Sequence, residues 1–346
     1  MKEGSMKSLT QWEAIDRRIW EEELEEFVPQ RIFDAHTHIF KPEHCLQTSN
    51  DIPPRPDLAD KEMNLSFLRE YFDVLLPKRE IHYLLIGFPF IKCDFDRLNT
   101  FVAVEATEDM LSAPSMVVHP QMHPKETAAM VEKHSFVGFK PYRWYSTTGD
   151  AVECSITDML PESLIEVAND KHLLITLHLS KRSGIADKDN IKGLRRLSQR
   201  YCNVQWILAH CARSFNPWFL EKAIEQIRDL PNVWYDTSAV CDSGVFDILL
   251  RNISWKRILY GSDALPGSGE RGKYIAFAYG WALLREDNHR LDLSHCESRM
   301  TFALYEELRA LRRAAQNAGL TETQLEDIFY NNAIQLLKTR AERTNQ

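Results

Sequence analysis

Residues 31–38 read Arg31-Ile32-Phe33-Asp34-Ala35-His36-Thr37-His38, a short apolar run that leads straight into two histidines one residue apart. In extended backbone the side chains of residues i and i+2 point the same way, so His36 and His38 present two imidazoles to one point. An open doubly wound sheet usually carries a glycine-rich phosphate turn after its first strand; here that position holds the two histidines instead. Seven further runs rich in β-branched and aromatic residues follow, at 82–88, 115–119, 136–141, 173–179, 204–210, 233–238 and 257–262. Between most of them apolar residues recur with helical spacing, as at 125–134, 158–170, 190–201 and 217–229, with Pro161 and Pro217 near helix starts. This alternation calls for parallel pairing, and the nearly continuous apolar character of the strands is that of strands buried on both faces. Eight of them predict an α/β fold, a (β/α)8 TIM barrel.

Working outward, the barrel is expected over 31–340 and an N-terminal helical extension over 1–30, with its helix at 11–27. Two long insertions are expected, one after the first strand at 41–80, Pro-rich at 53–56 and helical at 64–76, and one after the last strand at 264–300. Loops at the C-terminal face of a barrel shape or cover its pocket. Helical stretches at 301–317 and 321–340 close the chain.

The 50 acidic and 42 basic residues give a formal net charge of -8, so no global field draws in nucleic acid or an anionic membrane. The longest apolar runs, such as 84–91, fall far short of the roughly 20 residues that span a bilayer. Neither kind of partner is expected. Seven scattered cysteines without a CxxC pair read as reduced thiols, and the N-terminus lacks the apolar stretch of a secretory signal. A cytoplasmic protein is expected.

His178 ends the run 173–177, His210 ends 204–209, and Asp263 follows Ile258-Leu259-Tyr260-Gly261-Ser262. Each stands at a strand exit, and a barrel gathers those exits around one pocket. Taken singly, each histidine is better explained as a satisfied core imidazole and the aspartate as a helix cap or turn residue. Together they supply three or more imidazoles and a carboxylate, which suits zinc or another borderline divalent ion with a position left open for water or substrate. A histidine that does not bind the ion can move protons. Lys140, Tyr142 and Arg143 leave the fourth strand at the same mouth, and a guanidinium fork suits a carboxylate. His119 ends the third strand and is a candidate pocket residue, as is Arg213.

The sequence Asp34-Ala35-His36-Thr37-His38, with His178, His210, Gly261-Ser262-Asp263 and the ending 328–337, resembles the amidohydrolase superfamily. The closer likeness is to its amidohydrolase-2 branch, which includes aminocarboxymuconate-semialdehyde decarboxylase, resorcylate decarboxylases and pyrone-dicarboxylate lactonases. The resemblance implies that His36, His38, His178 and Asp263 hold one divalent ion, with zinc expected, and that His210 is the catalytic histidine, Asp263 being the other candidate to take a proton from water. It implies a hydrolase acting on a lactone, an amide or a ring-cleavage product, on a substrate that carries a carboxylate. A non-oxidative decarboxylase on the same ligands is the alternative, and a homo-oligomer is the expected assembly. In binuclear relatives a carboxylated lysine at the place of Lys140 bridges a second ion; in mononuclear ones such a lysine lies on the pocket wall as a cation. A non-catalytic barrel with a structural ion is the third reading, and it fits poorly with a site at an open mouth.

Overall fold

The computed structural model describes residues 11–46, 62–88, 90–265, 269–285 and 288–344. Eight parallel strands follow one another in sequence order: β1 Arg31–Ile39, β2 Glu80–Gly87, β3 Ala113–Val118, β4 Gly138–Pro141, β5 Leu174–Leu177, β6 Gln205–Leu208, β7 Val233–Asp236 and β8 Ile258–Leu259. β8 returns to β1 through backbone bonds from Ala35 N to Tyr260 O (2.9 Å), from Asp263 N to His36 O (2.8 Å) and from His38 N to Ala264 O (2.8 Å). The TIM barrel is therefore nearly closed, as the strand-helix rhythm predicts.

Helices connect the strands, and their starts follow the local sequence. Pro124 and Pro217 sit in the first turns of Pro124–His134 and Pro217–Ile227, where a missing N–H costs nothing, and Asn216 caps the latter by accepting from Trp218 N at 3.1 Å. In Leu65–Leu75 the buried residues Leu65, Leu68, Tyr71, Phe72 and Leu75 repeat at helical spacing. The expected helix 158–170 is broken in two, Ile156–Met159 and Glu162–Asp170, because Pro161 disfavours helical backbone at Leu160. The N-terminal helix is short, Ala14–Ile19, and continues as a π-helical turn Trp20–Leu24. Part of the expected insertion 41–80 and of 264–300 lies outside the described residues; within the second, Lys273–Phe277 (β9) and Gly280–Leu284 (β10) form an antiparallel hairpin.

The main core fills the space between strands and helices. A second apolar cluster joins Phe33, Leu84, Ile86, Leu174, Ile207 and Leu259 to Tyr330, Ala333 and Leu336 at the start of the C-terminal helix Asn332–Thr344. Tyr330 also stacks under Arg31, the first residue of β1, so this helix closes the end of the barrel at which the strands begin. The other end is left for chemistry. No described helix is long and apolar enough to cross a membrane, and the seven cysteines form no disulfide.

Candidate metal centre

Both histidines of the opening motif lie within β1, just where its pairing with β2 slips: Asp34 faces Tyr83 and Thr37 faces Leu85, so β1 carries one extra residue. Such a bulge re-aims a side chain. At β8, Gly261 brings its backbone so close that a Cβ there would lie 2.9 Å from the His36 Cβ. The buried Asp34 ties the two strands together, accepting from Ser262 N (2.9 Å), Ser262 Oγ (2.5 Å) and His36 N (3.1 Å). Burial lifts its pKa to about 6 against those hydrogen bonds. Asp263 follows in left-handed backbone (φ 51°), which turns its carboxylate inward. Its Oδ1 lies 3.1 Å from His38 Nε2 and 3.7 Å from His36 Nε2.

The other nitrogen of His36, Nδ1, lies 2.9 Å from Asp236 Oδ2. A carboxylate there makes Nδ1 the protonated nitrogen and leaves the Nε2 lone pair for a ligand, the arrangement that commonly braces a metal-binding histidine. Lys140 Nζ stands 2.8 Å from that Nε2. Burial, then the Lys140 charge, hold His36 neutral. Burial also lowers Lys140 to about 8, although Asp236 and Asp263 pull it back upward. Burial by itself would raise Asp263, but the hydrogen bond with His38 and the neighbouring imidazoles keep it ionised, well below the ordinary carboxylate range. His38 Nδ1 faces the Tyr142 hydroxyl at 3.3 Å.

His210 leaves β6 on an unusual turn, with His210, Cys211, Ala212 and Arg213 all in left-handed backbone (φ 58°, 49°, 64° and 57°). Strain of this kind persists only where the surroundings enforce it. Here His210 N donates to Asp236 Oδ1 (2.7 Å), and His210 Nδ1 lies 2.9 Å from both the carbonyl and the hydroxyl oxygen of Ser238. The β7 exit that supplies Asp236 and Ser238 is held in turn by Glu307, fully buried on helix Ala303–Ala318, which accepts from Ala239 N (2.8 Å) and Thr237 Oγ1 (3.1 Å). Burial raises its pKa well above the usual glutamate value.

Two groups of three donors come together, each within 4.8 Å: His36, His38 and Asp263, and His36, His210 and Asp236. Neutral imidazoles with carboxylates, one imidazole braced from behind, form a donor set that fits a borderline divalent ion. His178 belongs to neither group. Its ring lies 5.1 Å from that of His210, and its Nδ1 donates to Leu179 O at 2.9 Å, which leaves Nε2 free. Arg143 and Arg213 lie near enough to His178 for their charges to act on it. His119 pairs with Gln121 (2.9 Å) and stacks on Phe95 (4.3 Å between centroids), and none of these contacts reaches the ligands. Sequence reasoning missed Asp34, Asp236, Ser238 and Glu307. Asp236 had a signal, since it ends the apolar run Val233-Trp234-Tyr235 as Asp263 ends its own.

A family model described as amidohydrolase matches residues 110–339, more than half of the chain. The chain belongs to the amidohydrolase-2 family. No curated protein matches the chain. Among solved structures it is similar to a dihydroxybenzoic acid decarboxylase from a Polaromonas species, with bound manganese and 2-nitroresorcinol (14% identity, 91% of this chain and 99% of that one, TM-score 0.57). A Pseudomonas putida protein assigned as a 2-pyrone-4,6-dicarboxylic acid hydrolase is comparable (13%, 90% and 98%, 0.56), as is a 4-oxalomesaconate hydratase from Rhodopseudomonas palustris (15%, 91% and 97%, 0.51). At these identities the likeness is one of fold.

Proposed function

We propose that this amidohydrolase is a metal-dependent hydrolase that adds water to the carbonyl of a lactone, an amide or a ring-cleavage product, on a small molecule that carries a carboxylate. The observation that supports it is the convergence of His36 Nε2, His38 Nε2 and Asp263 Oδ1 at the barrel mouth. A divalent ion bound there, zinc being well suited to these donors, supplies Lewis acidity that acidifies water and polarises a carbonyl oxygen. His36, His38 and Asp263 would hold the ion, with His178 as the fourth donor. His210 keeps a proton on Nδ1 for the Ser238 carbonyl, so its Nε2 accepts the proton of the attacking water and returns it to the leaving group; Asp263 is the other acceptor. Tyr142 and Arg143 face the substrate and Lys140 is a cation on the pocket wall.

A second reading, non-oxidative decarboxylation, draws on Lys140. Its Nζ is a buried proton donor 2.8 Å from a ligand nitrogen, placed to protonate a carbon that loses CO2. Product analysis separates the two, because CO2 release with no new acid or alcohol rejects hydrolysis. A cytoplasmic homo-oligomer belongs to the same proposal, and light scattering tests the assembly.

The first test is elemental analysis of wild type, Asp263→Ala and Lys140→Ala. About one ion per chain, lost with Asp263 and kept without Lys140, is the expected result for an open catalytic site. About two ions, one of them lost with Lys140, means a carboxylated-lysine bridge. No metal after metal-supplemented expression overturns the proposal.

A further inference from the structure

We propose that Cys45 and Cys93 form a reversible disulfide site, at which exchange with a small disulfide such as oxidised glutathione staples the rim after β1 to the rim after β2. The inference depends neither on the metal nor on the reaction at the mouth. Both residues are thiols in the structure.

The two residues face each other across an isolated antiparallel bridge. The bonds that make it flank the pair: Leu46 N donates to Lys92 O at 2.8 Å, and Asp94 N to His44 O at 2.9 Å. Cys45 and Cys93 are therefore directly opposed without exchanging backbone bonds of their own. In that register antiparallel strands come closest, about 4.5 Å between Cα atoms, with both side chains on one face. A disulfide spans Cα separations of about 4.4–6.8 Å, so the pair is within its reach. Both sides are anchored. Cys45 N donates to Pro42 O (3.0 Å) at the end of the turn Pro42–His44, whose buried His44 ring packs on Phe101 (5.2 Å between centroids). Cys93 precedes Asp94, which caps helix Phe95–Ala106 by accepting from Arg97 N at 3.1 Å. Among the described residues no other two cysteines are opposed in this way.

Access to the two sulfurs is unequal. Cys45 is half-buried, whereas Cys93 is buried, and burial, then the neighbouring Asp94 and Cys45, push the Cys93 thiol up to about 12. Exchange therefore enters at Cys45. Its thiolate attacks the S–S bond of oxidised glutathione, which forms a mixed disulfide and releases one glutathione thiolate to take up the proton that Cys45 lost. The Cys93 sulfur, once deprotonated, attacks the Cys45 sulfur; the Cys45–Cys93 bond forms, the mixed bond breaks, and the second glutathione leaves as its thiol. Two protein thiols are oxidised and one small disulfide is reduced to two thiols. The scarcity of Cys93 thiolate makes the second step the slow one. The bond would fix a rim on which two tyrosines of the mouth rest, since the Tyr145 hydroxyl donates to Phe90 O, and the Tyr142 hydroxyl, which faces His38 Nδ1, donates to Gly87 O at 3.3 Å.

The test is to equilibrate the folded full-length protein with excess oxidised glutathione, quench it in acid, denature, alkylate and digest it, and map the cysteines by mass spectrometry. A linked Cys45–Cys93 peptide is expected, with the two separate alkylated peptides falling about tenfold or more, and excess reduced glutathione is expected to restore both. The exposed Cys202 and Cys296 should instead end as mixed disulfides with glutathione. The bridged form should melt several degrees higher, because the bond closes the segment 46–92 into a loop in the unfolded chain. Cys45→Ser and Cys93→Ser should each abolish the linked peptide and the rise in melting midpoint; should the buried Cys93→Ser fail to fold, Cys45→Ser at its half-buried position carries the test. A Cys45 that stops at the mixed disulfide while Cys93 alkylates in full overturns the site, as does a linkage of either residue to another cysteine.

Discussion

At the seam between β1 and β8 the candidate ligands are braced from behind: Asp34 holds Ser262 and the backbone of His36, Asp236 holds the His36 ring, and Glu307 holds the loop that carries Asp236. Above β4, β5 and β6 the polar groups are steadied but not completed. His178 is partly exposed with one nitrogen idle, and the Nε atoms of Arg143 and Arg213 find no partner among the described residues. The seam carries a set of donors that could hold one divalent ion. Loops at this face of a barrel are the half that varies as enzymes of the fold change substrate.

The largest effect on this contrast is expected at Asp236. Asp236→Asn removes the brace without emptying the site, and competition with a chelator should show divalent-ion affinity about 10–100-fold lower; unchanged affinity would mean that the His36 tautomer is fixed by Ser238 alone. Gly261→Ala tests how rigid the seam is. A Cβ 2.9 Å from that of His36 must displace one strand, so denaturation should show a loss of about 1–3 kcal/mol. Full stability would mean that the seam yields as easily as the mouth. The smallest effect is expected at Glu307. Between the ordinary glutamate pKa and its raised value the folded chain holds a proton that the unfolded chain has lost, so stability falls as pH rises through that window. Glu307→Gln should flatten this slope in pH-dependent melting, at a cost of under about 1 kcal/mol. A slope that persists would assign it to the neighbouring Asp34, which burial also raises.

The sequence shows the barrel clearly because parallel strands buried on both faces have a distinctive composition and each ends in a polar residue. The same rule picks out His36, His38, His178, His210 and Asp263. It reaches Asp236 as well, which ends the apolar run Val233-Trp234-Tyr235. Other features leave no local trace. The left-handed turn His210-Cys211-Ala212-Arg213 contains no glycine, so nothing in its composition announces the backbone that aims both His210 and Arg213. Glu307 looks like one more helix residue until the fold buries it against the β7 exit. His119 shows the opposite case, a strand-end histidine whose partners turn out to be Gln121 and Phe95.

The contact between Asp34 and Ser262 joins residues 228 positions apart. The trio His36, His38 and Asp263 is likewise divided between the first strand and the exit of the last, so during synthesis it is incomplete while seven strands are already made. A divalent ion held by that trio would bind only after β8 has emerged from the ribosome and settled against β1. A product truncated before Asp263 would then carry two of the three donors and lack the carboxylate that completes them.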